Sequence, residues 1–193
     1  MAHGQVFLVG IIKKIRRRKG VFALNKGNIY VVIVSVKHKS AIKLAQKLIK
    51  KGFNPARIVV VTNIMNVEPL LALGILPKNI GKKNRAGFAG GLNLGSEMAV
   101  RNDTFASVIC LSTEIAEKRL MEVFATAIEC EGDITKKKMF AIGSKGEDGM
   151  LVCRAETIMS TFLVNDIKNG GTTLEELYTI LEKSGITIEF KEV

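Results

Sequence analysis

The fold is decided by residues 29–63, which read IYVVIVSVKHKSAIKLAQKLIKKGFNPARIVVVTN. Residues 29–36 are apolar at almost every position, which is typical of a strand buried on both faces of a sheet. After Ser40, a good N-cap, apolar residues recur at helical spacing with lysines between them as far as Gly52. Residues 57–63 form a second apolar run. The order strand, helix, strand predicts a βαβ unit with parallel strands and a right-handed crossover.

The rest of the chain continues to alternate strand-like and helical segments. Residues 139–143 and 150–153 flank a short turn-rich connection, which predicts that these two strands pair. A chain of 193 residues suits one domain. We therefore predict a single α/β domain over residues 1–193, a two-layer or three-layer sandwich with a mixed, mostly parallel sheet and flanking helices. The other predicted elements are a strand or strand–helix junction at 5–12, strands at 105–111 and 186–190, and helices at 40–52, 67–73, 113–128 and 172–185.

Residues 81–95, GKKNRAGFAGGLNLG, contain five glycines. This density predicts a loop rather than a regular element. Glycine-rich backbone can approach a ligand closely, and its N–H groups bind anions at the start of a helix. The segment lacks both the Gly-Lys-Ser/Thr of a P-loop and the Gly-x-Gly-x-x-Gly of a dinucleotide site. A phosphate cradle, a substrate-lining loop and a purely structural turn all stay open.

The charge is distributed unevenly along the chain. Residues 1–85 hold 18 Lys and Arg against one acid, whereas residues 86–193 hold 11 against 17. This asymmetry favours anionic partners such as phosphates, nucleotides or nucleic acid, and a solvated lysine-rich surface is the alternative. The basic cluster at residues 13–19, KKIRRRK, provides the second candidate function, a nucleic-acid-binding protein. The absence of Trp and an aromatic content of 6% argue against a base-stacking, single-strand binder.

The cysteines, histidines and apolar runs exclude several classes of protein. Three cysteines with no Cys-x-x-Cys spacing predict neither a disulfide framework nor a zinc knuckle. Neither histidine has a partner at metal-ligand spacing, so we expect no metal and no cofactor. The longest apolar run has eight residues, far short of the roughly 20 that span a bilayer, and no secretory signal is evident. We expect a cytoplasmic protein without membrane contact, and homo-oligomerisation stays open.

Candidate site residues lie where predicted strands end. No Gly-x-Ser-x-Gly elbow is present, and two histidines leave little room for a Ser-His-Asp triad. In parallel α/β sheets, ligands bind at the carboxyl ends of the strands. Asn93 and Glu97 flank the glycine-rich segment, and Glu129 lies near a helix end. The polar residues at strand ends are Thr62, Asn63, Ser112, Ser144, Lys145 and Asp148.

Five segments, taken in order, resemble the CbiZ-type adenosylcobinamide amidohydrolases, which remove the aminopropanol-bearing arm of cobinamide during corrinoid salvage. They are residues 59–67 (VVVTNIMNV), 85–95 (RAGFAGGLNLG), 109–112 (ICLS), 125–130 (ATAIEC) and 141–153 (AIGSKGEDGMLVC). The resemblance implies an α/β protein that binds a corrinoid or another anionic small molecule. It also implies hydrolysis of an amide in adenosylcobinamide or a related corrinoid.

The resemblance also implies roles for individual residues. Asp148 and Glu129 match acids of the family, so either would activate the attacking water. Asn63, Asn93 or backbone N–H groups near Gly90 and Gly91 would stabilise the developing oxyanion. The substrate-binding residues predicted around them are Thr62, Asn63, Gly90, Gly91, Asn93, Ser144 and Lys145.

Overall fold

The computed structural model describes residues 29–63, 66–82, 87–112, 117–143, 150–164 and 174–192. The predicted strand at 5–12 and the basic cluster at 13–19 therefore lie outside the described residues. The strands are β1 (Ile29–Ser35), β2 (Ile58–Thr62), β3 (Ile80–Lys82), β4 (Ser107–Ser112), β5 (Lys138–Ile142), β6 (Met150–Arg154) and β7 (Thr187–Lys191). The helices are α1 (His38–Lys50), α2 (Glu68–Leu71), α3 (Phe88–Asn102), α4 (Glu117–Cys130), α5 (Ala155–Val164) and α6 (Leu174–Lys183).

The seven strands form one sheet in the order β3-β2-β1-β4-β6-β5-β7. Strands β3, β2, β1 and β4 are parallel to one another. Val31 of β1 pairs with Ile58 of β2, and Ile29 of β1 pairs with Ser107 of β4. β6 runs antiparallel to both β4 and β5, and β7 is parallel to β5. The predicted mixed, mostly parallel sheet is confirmed, as is the pairing of β5 with β6.

Helices cover both faces of the sheet and make three layers. In β1, Val31 and Ile33 pack against α1 and α4, whereas Val32 and Val34 pack against the helices of the opposite face. That second face carries α3, α5 and α6. All seven residues of β1 are buried, which confirms the double burial expected from an unbroken apolar run. β1 is therefore a central strand between two hydrophobic cores.

The glycine-rich segment is not a loop over most of its length. β3 ends at Lys82 and α3 already begins at Phe88, so the prediction of a loop through Gly95 is wrong. A Cβ atom added to Gly91 would lie 2.3 Å from Cγ1 of Val34, and the equivalent distance for Gly95 is 2.2 Å to a valine Cγ1 on the same strand. The glycines lower helix propensity, but their missing side chains let α3 lie directly on β1.

Three further structural facts bear on the predicted exclusions. None of the helices in the described ranges is long and apolar enough to span a membrane. All three cysteines are buried free thiols. Among the residues that the structure describes, no cluster of three or more His, Cys, Asp or Glu side chains could hold a metal ion.

Candidate functional site at the carboxyl edge of the parallel strands

β1, β2, β3 and β4 run in the same direction and end at the same edge of the sheet, which we call the carboxyl edge. Ser35 pairs with Thr62, and Thr62 pairs with Lys82, so the ends of three strands lie side by side. On the other side of β1, Val34 pairs with Ser112 at the end of β4. The helices that follow these strands therefore begin at this edge.

The connections reverse direction between β1 and β4. From β1 the chain passes through α1 to β2 on one side, and it later returns through α3 to β4 on the other side. α1 and α3 pack on opposite faces of the sheet. In open α/β sheets, such a reversal leaves a crevice outside the carboxyl ends of the two strands, and ligands bind there. The architecture therefore points to the ends of β1 and β4.

Helices α1 and α3 both direct their amino termini toward this crevice. α3 is antiparallel to β1, since Gly91 lies against Val34 and Gly95 against Val32, so its first turn lies near the end of β1. Within the described residues, neither helix has a side-chain cap, and neither has an acidic residue in its first turn. The N–H groups of such a first turn have no partner within the helix and carry a partial positive charge. Two anion-accepting helix ends thus flank β1, one on each face.

The turn between β1 and α1 is held by Ser35. Its Oγ accepts a hydrogen bond from the backbone N of Lys37 at 3.0 Å and donates one to the carbonyl O of Lys37 at 3.1 Å. This reciprocal pair fixes the backbone that leads into α1. The side chain of Lys37 is exposed next to the helix start, where it adds a full positive charge.

Polar atoms of two side chains at this edge are buried without hydrogen-bond partners among the described residues. Thr62 is fully buried, and within the described ranges its Oγ1 has no hydrogen-bond partner. By strand alternation from Val60, Thr62 faces the side of the sheet that α1 covers. His38 is the first residue of α1, and both of its ring nitrogens are likewise buried with no partner in the part of the chain that the structure describes. Since an unsatisfied buried polar group destabilises the folded state, these groups mark a place where a ligand or ordered water can bind.

The structure brings several of the predicted substrate-binding residues to the carboxyl edge. Thr62 ends β2 and Asn63 follows it in an exposed position. Gly90 and Gly91 belong to the first turn of α3. Ser144, Lys145 and Asp148 lie outside the described residues. The strands that flank those three residues, β5 and β6, end and begin at the carboxyl edge, because β5 runs in the direction of β4.

Glu129 is not brought to this edge. α4 begins at Glu117, shortly after the end of β4, and its 14 residues span about 20 Å along the helix axis. Glu129 is the penultimate residue of the helix, and its side chain is exposed. It therefore lies about a helix length from the end of β4 and, because α4 and α3 cover opposite faces of the sheet, on the other face from Gly90. The predicted grouping of Glu129 with the oxyanion-stabilising residues is not what the structure shows.

Asn93 faces a different site, a cavity of about 730 Å³ between α3 and α5. An ion pair between Lys136 and Glu156, 2.8 Å long, lies at its margin. Two apolar lining residues, Phe105 and Leu163, are 72% and 84% exposed. Sequence reasoning missed this cavity, although its apolar residues in α5 recur at helical spacing. Its remaining lining residues are Val100, Thr104, Met159, Ser160 and Phe162.

His38 was also missed as a site residue. Sequence reasoning considered it only as a metal ligand, for which no second ligand was found, and as a member of a Ser-His-Asp triad. Its position three residues after a buried strand and at the start of a helix could have indicated the carboxyl edge.

Compared with known proteins, the chain matches no protein-family model. It also matches no curated protein sequence. The resemblance to corrinoid amidohydrolases stays a prediction that rests on the quoted sequence segments.

Proposed function

We propose that this chain binds an anionic metabolite at the carboxyl edge, in the crevice between β1 and β4. The observation that carries the proposal is the convergence of two uncapped helix amino termini on the end of one central strand. Aligned backbone N–H groups and the helix dipole favour a negative charge at such a position. The unpartnered hydroxyl of Thr62 supplies a neutral donor beside them.

The charge around the edge supports an anion over a neutral ligand. Lys37 at the start of α1 and Lys82 at the end of β3 are both exposed. Lysine is a compact point charge that suits phosphate and carboxylate groups without demanding a fixed geometry. The proposed ligand is therefore a metabolite with at least one phosphate or carboxylate. For the amide of a corrinoid, the negative charge held at the carboxyl edge would be the one that develops on the carbonyl oxygen during hydrolysis.

The reaction we propose for this site is hydrolysis of an amide in adenosylcobinamide or a related corrinoid, and it rests on the family resemblance. Because Glu129 lies at the far end of α4, Asp148 is the acid that would take the proton from water. The water oxygen would add to the amide carbonyl, and the N–H group of Gly90 in the first turn of α3 would stabilise the oxyanion, whereas the N–H group of Gly91 already donates to the carbonyl O of Gly87. The C–N bond would then break, and the amine would leave with the proton returned by Asp148.

Binding is tested by titrating the full chain with inorganic phosphate and with adenosylcobinamide in a calorimeter. Thr62→Val keeps the shape of the side chain and removes the hydroxyl. We expect about 10-fold weaker anion binding with no loss of stability, because that hydroxyl has no hydrogen-bond partner among the described residues. Ser96→Ala is the matched control: it removes a second buried hydroxyl, in the third turn of α3, that also has no partner within the described ranges. Its anion affinity should equal that of the wild type.

Binding and hydrolysis are separated by Asp148→Asn. This variant should bind adenosylcobinamide and fail to release the amine. If the wild type binds neither phosphate nor adenosylcobinamide, the anion site is wrong. If it binds but Asp148→Asn hydrolyses at the wild-type rate, the site stands and the role of Asp148 is wrong.

A further inference from the structure

The outer surface of α1 carries a row of lysines that the proposed metabolite site does not use. Lys39, Lys43, Lys47 and Lys51 recur every four residues, and Lys50 lies beside the last of them. We call these five residues the lysine stripe. Every member is exposed, while the opposite side of the helix packs into the core. At 1.5 Å per residue, the stripe extends for about 18 Å along the helix.

The lysine stripe destabilises the helix that carries it. Like charges four residues apart on a helix repel and destabilise it. Residues 29–67 contain no Asp or Glu that could offset this repulsion locally. Among the residues that the structure describes, none of Lys39, Lys43 and Lys50 takes part in an ion pair. Ion pairs do form elsewhere on the surface, as between Lys136 and Glu156.

We propose that the lysine stripe binds the phosphodiester backbone of duplex nucleic acid. A regular row of cations along one exposed helix complements a regular row of phosphates, and each phosphate neutralised releases counterions. Lysine contacts of this kind are independent of sequence, since phosphates carry no base information. The surface therefore predicts general duplex affinity without base-specific recognition.

The composition of α1 favours a duplex over two other anionic partners. The helix contains no Phe, Tyr or Trp, so it offers no ring on which the bases of a single strand could stack. A membrane-surface helix inserts its apolar face between lipids. In α1 the apolar residues Ala41, Leu44, Ala45 and Leu48 are buried in the core and cannot insert.

The test measures binding of the full chain to a 20-base-pair DNA duplex and to an RNA duplex from 50 to 300 mM salt. The variant combines Lys39→Gln, Lys43→Gln and Lys50→Gln. Removing three DNA phosphate contacts should reduce the slope of log affinity against log salt by about 2.7, at roughly 0.9 per contact. At 0.1 M salt this corresponds to binding about 100-fold to 1,000-fold weaker than that of the wild type.

A matched control combines Lys78→Gln, Lys137→Gln and Lys183→Gln, which removes the same charge from exposed lysines outside α1. Its slope should stay within about 0.5 of the wild-type slope. Equal losses in both triple variants would overturn the proposal, because net charge alone would then explain binding. So would a wild type that binds vesicles containing 30% phosphatidylserine and neither duplex. Binding to only one of the two duplexes identifies which nucleic acid the stripe takes.

Discussion

Substituting Gly91 by Ala tests whether α3 is held against β1 by the absence of a side chain. The new Cβ would lie 2.3 Å from Cγ1 of Val34, whereas carbon atoms in good contact are about 3.5–4.0 Å apart. The Cβ of residue 91 and Cγ1 of Val34 must therefore move apart by more than 1 Å. Val34 is 3% exposed on a central strand, and its branched side chain has little rotamer freedom, so the helix has to move.

The expected loss follows from two opposing terms. Overpacking a core costs about 1–3 kcal/mol, and a clash this short against a strand belongs near the upper end. Alanine recovers about 1 kcal/mol of helix propensity over glycine. The net loss in the free energy of unfolding should be about 2 kcal/mol. Urea denaturation followed by circular dichroism measures it directly.

Two further variants, Val34→Ala and Gly132→Ala, show whether the loss of stability comes from direct packing of α3 on β1. Val34→Ala alone should cost about 2 kcal/mol through lost burial and a cavity. In the double variant the methyl group on residue 91 occupies the vacated space, so the two losses should not add, and the coupling should be at least 1 kcal/mol. Gly132→Ala is the control, because a Cβ there meets nothing within 4 Å, and it should be neutral or slightly stabilising. Losses that add within about 0.5 kcal/mol would refute direct packing of α3 on β1.

Three other predictions concern groups away from this contact. Asn79 is fully buried; its amide donates to the carbonyl O of Ala56 at 2.9 Å and accepts from Asn102 at 2.8 Å. Asn79→Ala should therefore cost about 2–3 kcal/mol in urea denaturation, and an unchanged midpoint would contradict this account. Burial raises the pKa of the Cys153 thiol to about 12, so iodoacetamide at pH 8 should label it in urea but not in the native protein. Hydrogen bonds from two lysines, together with their positive charge, hold the pKa of Glu189 below its usual 4.5. The small stabilisation from the Glu189 carboxylate should therefore be present at pH 7 and be lost as the pH falls below 4.5 and the carboxylate takes up a proton. The melting temperatures of Glu189→Gln and the wild type should converge in acid. A difference in melting temperature that does not change with pH would contradict this prediction.

Much of the fold follows from local pattern. The apolar run of β1 predicted a strand buried on both faces, and all of its residues are buried. The lysine and apolar periodicity after Ser40 predicted α1, which starts two residues earlier than its expected N-cap. The order of these elements predicted the parallel pairing of β1 with β2. Such patterns are readable because periodicity reports directly which side of an element meets water.

The candidate site was only partly predictable. Thr62 and Asn63 could be placed at the edge, because the end of an apolar run marks the end of a strand. The role of Glu129 could not be judged, since helix length and direction decide on which side of the molecule a residue near a helix end lies. His38 could be recognised only when its ring nitrogens were seen to be buried without partners.

By itself, then, the sequence determined which segments are buried strands, which helices are amphipathic and where the positive charge lies, because these properties depend on neighbouring residues along the chain. Only the tertiary structure decided that Gly91 and Gly95 lie within a helix and that α1 and α3 begin at the same edge on opposite faces of the sheet. The physical reason is that glycine has the same local signature in a loop as in a close helix–sheet contact. A Cβ on Gly91 would clash with Val34, which lies 57 positions earlier in the chain, so no local sequence pattern can reveal this contact.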